Sequence, residues 1–316
     1  MSDPKTTFLI GATGAVGAPT TRALLAAGHP VRAAVRNEAR AQAVRALGAD
    51  PVVVDIFDTA ALVPAMAGAD AVVNLATRIP SPARAALPGA WKENDRIREQ
   101  ASTALVDAAL EAGVGRFVQE SVVFMYADGE ERWLDEDAPV ELMSMVSSTQ
   151  VAEDSVARFA ATGAVGVALR FGLFYGVNSS HTDATIAAVR KGLSPLLGRA
   201  DAFQPSIHLD DAATSVLSAL VVPSGTYNIT DDEPMTKAGY GHAVAEALGV
   251  KDPKLVPQAV VKLMGKKVNP IARSQRVSNG RFKAASGWEP QHESVFDGWP
   301  AVVAAIEGSG EVASDG

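Results

Sequence analysis

The sequence predicts an α/β protein built on a doubly wound parallel sheet with a smaller C-terminal lobe. Three observations carry this. Short apolar runs alternate with Ala-rich stretches through the first half, those stretches close on glycines, and the first apolar run opens into a glycine-rich turn. The alternation is the pattern of repeated strand–helix–strand units, whose strands are covered on both faces and therefore read as nearly unbroken apolar runs.

In chain order, TFLIG, VRAAV, PVVVD, AVVNLA, RFVQES and VGVALRF predict six strands, and the segments near 15–27, 38–47, 59–66, 94–112 and 149–162 predict the helices between them. Glycines end these helices in AAGHP, ALGAD, MAGAD, EAGVG and ATGAVG, where a left-handed cap suits Gly better than any other residue. After about residue 175 the pattern changes to mixed segments, among them DDAATSVLSAL, GTYNIT and a predicted helix near 236–248. The expected organisation is one domain over 1–175, a smaller lobe over 176–306 with some segments returning to the first domain, and a flexible, acidic tail over 307–316.

Composition narrows the function. The 316 residues carry a net charge of −8 with no Lys/Arg run, so nothing favours a nucleic-acid backbone. Cysteine is absent, which removes disulfides, thiolate metal sites and cysteine nucleophiles together. The N-terminus MSDPKTT has no leader pattern and no apolar run approaches the ~18 residues of a membrane span, so the expected setting is cytoplasmic. No His/carboxylate spacing suggests a metal, and no G-x-S-x-G is present.

The segment TTFLIGATGAVGAPT places Gly11, Gly14 and Gly17 between the first strand and a helix. Gly11 permits a sharp turn, Gly14 a close approach of backbone to phosphates, and Gly17 close packing of the helix, with Thr13, Ala15 and Val16 completing a dinucleotide cradle at the helix N-terminus. The second strand ends at Arg36, 19 residues after Gly17, where an acid would bind the ribose 2′-hydroxyl of NAD. Arg36 there suits the 2′-phosphate of NADP instead. NADP(H) is therefore expected ahead of NAD(H), the alternative being that Arg32, Arg36 and Arg40 are ordinary solvated charges. Asp55 and Ile56 close the third strand; Asp55 either meets the adenine amine or caps the helix that starts near Thr59.

Taken with VVNLAT, VDAALEAGVGRFVQES, LRFGLFYG, IHLDDAA, GTYNITDDEP and SNGRFKAASGWEP, the loop GATGAVG resembles the extended short-chain dehydrogenase/reductase superfamily, over about residues 6–300. The resemblance implies a Rossmann domain plus a substrate lobe, with Ala76 and Thr77 against the cofactor and Phe171 and Phe174 in the loop under the nicotinamide. It also implies a catalytic Ser or Thr and a Tyr-x-x-x-Lys pair, and here the chain departs. None of Tyr126, Tyr175, Tyr227 or Tyr240 has Lys four residues on. The Tyr and Lys slots fall on Met145 and Thr149, the usual Asn on Arg98, and the Ser slot on Val122 beside Ser121, which places the chain in the atypical branch.

Without the tetrad, the proton donors expected are Ser121 and Tyr126, both leaving the C-terminal end of the fifth strand, with Arg98 lowering the pKa of Tyr126 from about 10. The alternative for Tyr126 is packing beneath the site. Arg98, Met145, His181 and Arg276 are the substrate-side candidates; for His181 an exposed polar loop, and for Arg276 and Arg273 surface ion pairing, are the plain alternatives. For His208 the resemblance implies a structural hydrogen bond between lobes, the alternative being a titrating acid/base. The reading is an NADP(H)-dependent oxidoreductase acting on a small carbonyl, imine or alcohol. A redox-sensing NADP-binding protein and an epimerase, dehydratase or cyclase without net hydride transfer are the rivals. The partners expected are a small-molecule substrate and a second copy of the chain at most.

Overall fold

The computed structural model describes residues 4–81, 84, 85, 87–143, 145–263 and 269–314. Seven strands, β1 (Thr7–Ile10), β2 (Val31–Val35), β3 (Asp50–Val53), β4 (Ala71–Asn74), β5 (Arg116–Val122), β6 (Val165–Phe171) and β7 (Gly225–Ile229), form one parallel sheet in the order β3-β2-β1-β4-β5-β6-β7. The sheet order reverses at β1, where β2 lies on one side and β4 on the other. That reversal opens a crevice at the C-terminal strand ends, the place where open α/β sheets bind ligands. All six predicted strands form. The seventh comes from GTYNIT and pairs with β6 in register Tyr227↔Leu169.

Side-chain alternation builds a core on each face of the sheet. In β1, Leu9 joins the layer of α1 (Gly17–Ala26), α2 (Glu38–Ala46) and α8 (Leu209–Ser218), while Phe8 and Ile10 face α3 (Thr59–Met66), α5 (Ser102–Glu111) and α6 (Ser147–Ala160). The helix predicted near 94–112 is composite: α4 (Lys92–Arg96), one π turn over Ile97–Ala101, then α5. Single π turns inside α-helices are uncommon and frequently lie at functional sites, and this one carries Arg98. α8 packs along α1, so residues after 206 return a helix and a strand to the central layers. The smaller lobe gathers α7 (Ser180–Arg190), α9 (Lys237–Ala247) and α11 (Val295–Ser314) around Tyr175, Tyr240 and Trp299, while α10 (Gly280–Ser286) lies against β7. Helix α11 runs through the expected tail to Ser314. No helix among the described residues is long and apolar enough to cross a membrane.

One buried acid has a measurable consequence. Asp231, just past β7, is 1% exposed and neither carboxylate oxygen has a hydrogen-bond partner. Burial first, and then the nearby Asp211 charge, push its pKa well above the usual carboxylate range. The folded state therefore keeps a proton that the unfolded chain releases near pH 4, and stability falls as pH rises from there until the folded pKa is passed. Asp231→Asn is expected to raise the melting temperature at pH 7, with the gain shrinking toward pH 4. A scan of Tm against pH checks it, and a pH-independent gain or a loss at pH 7 contradicts it.

Candidate cofactor and substrate site

The glycine turn sits at the crevice. Gly11 has φ +88°, and its amide partner is local: Gly14 N–H donates to Gly11 O at 2.9 Å. A Cβ at Gly17 would lie 1.9 Å from Gly11 O, so this glycine is demanded by packing alone. Gly14 is different. It is exposed, and a Cβ there would meet only Gly11 O, at 3.2 Å. The empty space above Gly14 and exposed Ala15 is thus a cradle that a side chain would fill. Helix α1 begins over it at Gly17, with Val16 as N-cap, no side-chain cap bond and no acidic residue in its first turn, which leaves the positive end of the helix open to an anion. The arrangement fits a dinucleotide pyrophosphate.

Arg36 follows β2 and is exposed, and Arg40 in α2 donates from Nη1 to Thr13 Oγ1 at 3.3 Å, which ties that arginine to the glycine turn. Arg32 points elsewhere, donating to Ala67 O at 2.9 Å. Asp55 does not cap α3; Asp58 does, accepting from Ala61 N–H at 3.1 Å, while Asp55 accepts from Phe57 N–H at 3.0 Å and stays exposed. Ile56 packs partly buried against the α3–α5 core. Ala76 and Thr77 follow β4 half-buried, with Ala76 N–H donating to Asn74 Oδ1. Phe174 is half-buried beside Phe171, ring centroids 5.2 Å apart. Phe171 itself is fully buried in the core and offers no surface to a cofactor, which corrects its expected role.

The two expected proton donors are sealed. Ser121 is 0% exposed and donates to Glu153 Oε1. Glu153 holds Arg170 through both oxygens, at 2.8 and 2.7 Å, and Arg170 Nη1 donates to Tyr126 Oη at 2.8 Å. Tyr126, also 0% exposed, donates onward to Asn228 Oδ1 at 2.8 Å. Its partner is Arg170, not Arg98, and burial outweighs that cation and pushes the phenol up to about 12. Arg98 is likewise buried at 2% exposure: it donates to Thr149 Oγ1 at 2.7 Å and pairs with Glu120 at 2.8 Å. It therefore binds protein rather than substrate. What remains open at the tetrad slots is apolar, since Val122, Met125 and Val146 form a cluster on which Phe124 and Met145 pack half-exposed.

In the smaller lobe, His181 lies in the first turn of α7 rather than in a loop, its Nε2 buried without a partner and its pKa lowered by burial. The Arg276 guanidinium stacks between Trp133 and Phe203, 4.3 and 4.9 Å from their ring centroids, instead of pairing with an acid. Arg273 is structural: it pairs with Glu141 and donates to Tyr126 O. His208 caps α8 through Asp210 N–H, and the fold brings it within 4.0 Å, ring to ring, of His292, which bonds Asp211 at 2.8 Å. Asp211 and His292 are 81 residues apart, so spacing alone did not reveal that group. Glu120, Glu153 and Arg170 were also missed. Their signal was visible as charges inside otherwise apolar runs, at least for RFVQES and VALRF.

A family model described as NAD(P)H-binding matches residues 11–157. The chain is 32% identical over 303 residues to a 3-diazoavenalumate denitrifying reductase of a Streptomyces species, which covers 92% of this chain and 98% of the relative. It is 28% identical over 258 residues to an epimerase family protein of Mycobacterium bovis, covering 80% and 82% of the two chains. The crystal structure of a human epimerase family protein with NADPH shares the fold, with a TM-score of 0.77 at 22% identity over 95% of this chain and 99% of that one. The chain belongs to the extended short-chain dehydrogenase/reductase superfamily. Within it, this protein is an NAD(P)-dependent oxidoreductase with an atypical active site, lacking Tyr-x-x-x-Lys.

Proposed function

We propose that this chain is an NADPH-dependent reductase of a small electrophile that needs hydride but no proton from the protein, such as a diazonium or iminium carbon, rather than a ketone or an alcohol. The observation that carries the reading is the surface at the tetrad slots, where Val122 and Met145 stand and Thr149 is buried, with Ser121 and Tyr126 sealed in the network behind them. Gly14, Ala15 and the start of α1 would hold the pyrophosphate, and Arg36 and Arg40 the 2′-phosphate. When bound, the reduced nicotinamide supplies a hydride. A ketone would then become an alkoxide, and among the described residues at the tetrad slots no acid is open to protonate it. A diazonium carbon needs none. Its new C–H bond takes the incoming electron pair, the C–N bond breaks, and that pair leaves on dinitrogen. The name of the Streptomyces relative, a denitrifying reductase of a diazo compound, supports this class.

The test is NADPH oxidation with an arenediazonium salt, an iminium salt and a matched ketone, each corrected for the enzyme-free rate. The expected result is turnover of the first two, one dinitrogen released per NADPH with the diazonium, and a kcat that is flat from pH 6 to 9. Preferential ketone reduction with a sigmoid pH profile would reinstate a protein acid, with His181 the first suspect. Tight NADPH binding with no turnover across the panel would favour the redox sensor.

A further inference from the structure

We infer that Phe124 and Met145 form a binding platform for a planar aromatic or conjugated group of the substrate, with Met145 at the slot where the resemblance places Tyr and Phe124 two residues past the Ser slot at Val122. The local chain explains the placement. β5 ends at Val122, and a single 3-10 turn over Val123–Met125 brings Phe124 round at the C-terminal strand ends, while Met145 stands just before α6. Both pack on the same cluster of Val122, Met125 and Val146 and both keep part of their surface open. In the segment leading into Met145, Val140 is 42% and Leu142 44% exposed, on either side of Glu141, which pairs with Arg273.

The polar groups beneath pair with one another, leaving only Arg98 Nε and Glu120 Oε2 buried without a partner. Arg98 is neutralised by Glu120 and bonded to Thr149, and Ser121 is bonded to Glu153. The platform side chains themselves offer a thioether and a phenyl face, which carry no charge and no strong donor. A polyhydroxylated ring laid on it would give up hydrogen bonds to water and find no replacements. An arene would lose little hydration there and gain ring–ring and sulfur–ring contacts. This inference rests on the proposed function only in taking the same cleft as the place where the electrophile sits.

The experiment reads binding, not turnover, so the two proposals fail separately. Protein saturated with NADP⁺ is titrated by calorimetry with trans-cinnamamide and with its saturated analogue 3-cyclohexylpropanamide, for the native chain, Met145→Gln and Met145→Leu. The native chain is expected to prefer the arene. Met145→Gln is expected to weaken cinnamamide about 3- to 10-fold, in the range of a lost sulfur–arene contact plus a buried amide. Met145→Leu is expected to keep binding within about 2-fold, and NADP⁺ affinity, read in the same series, certifies that each variant is folded. Equal affinity for the two amides, no binding of either, or an unchanged Kd in Met145→Gln overturns the platform. Platform binding without NADPH oxidation on any electrophile would instead overturn the reductase reading alone.

Discussion

Arg170→Met lowers the unfolding free energy by about 3–5 kcal/mol, the usual cost of removing one partner from a buried ion pair. Arg170 is 6% exposed in β6 and Glu153 7% exposed in α6, and the guanidinium supplies both Glu153 oxygens and the Tyr126 hydroxyl. Without it the Glu153 carboxylate stays buried with only Ser121 to satisfy it. The double variant Arg170→Met/Glu153→Met should recover most of the loss, because the desolvation of both charges disappears together. Tyr126→Phe removes one hydrogen bond and should cost only about 0.5–1.5 kcal/mol. Since burial holds the phenol near 12, that variant is also expected to leave the pH profile of turnover unchanged between pH 6 and 9. Urea unfolding of the three variants measures these differences. A loss below about 1 kcal/mol for Arg170→Met, or no recovery in the double variant, would show that the network carries little of the stability.

Much of this architecture was legible because it depends on near neighbours in sequence. Apolar runs, glycine caps and the turn around Gly11, Gly14 and Gly17 are local signals, and each produced the element it implied. What was not readable was the direction in which Ser121 faces. Alternation along β5 puts it on the side of Phe117 and Gln119, under the helix layer that contains Glu153, and only the position of α6 reveals that an acid waits there. Tyr126 misled for a similar reason. Its distance in sequence from β5 suggested the crevice, but the 3-10 turn of Val123–Met125 presents Phe124 and folds Tyr126 back onto Arg170. Partners such as Asn228, 102 residues from Tyr126, leave no trace in spacing.

Arg36→Asp is expected to weaken NADPH about 10- to 150-fold and NADH by less than about 2-fold. The first figure follows from the 1.5–3 kcal/mol of a charge-assisted hydrogen bond, and the second from the lack of any phosphate on the NADH ribose for Arg36 to hold. Arg36 leaves β2 at the crevice with its side chain exposed, and Arg40, one turn into α2, already reaches Thr13 of the glycine turn. Arg40→Ala should act in the same direction but also loosen the turn through Thr13, so it is expected to weaken both nucleotides, NADPH the more. Because the arginines are exposed, their contribution is screened by salt, and raising ionic strength is expected to weaken NADPH more than NADH in the native chain. Fluorescence titration of both reduced nucleotides at two salt concentrations measures all of this. Equal weakening of NADPH and NADH in Arg36→Asp, or tighter binding of NADH by the native chain, would remove the 2′-phosphate from the role of these arginines.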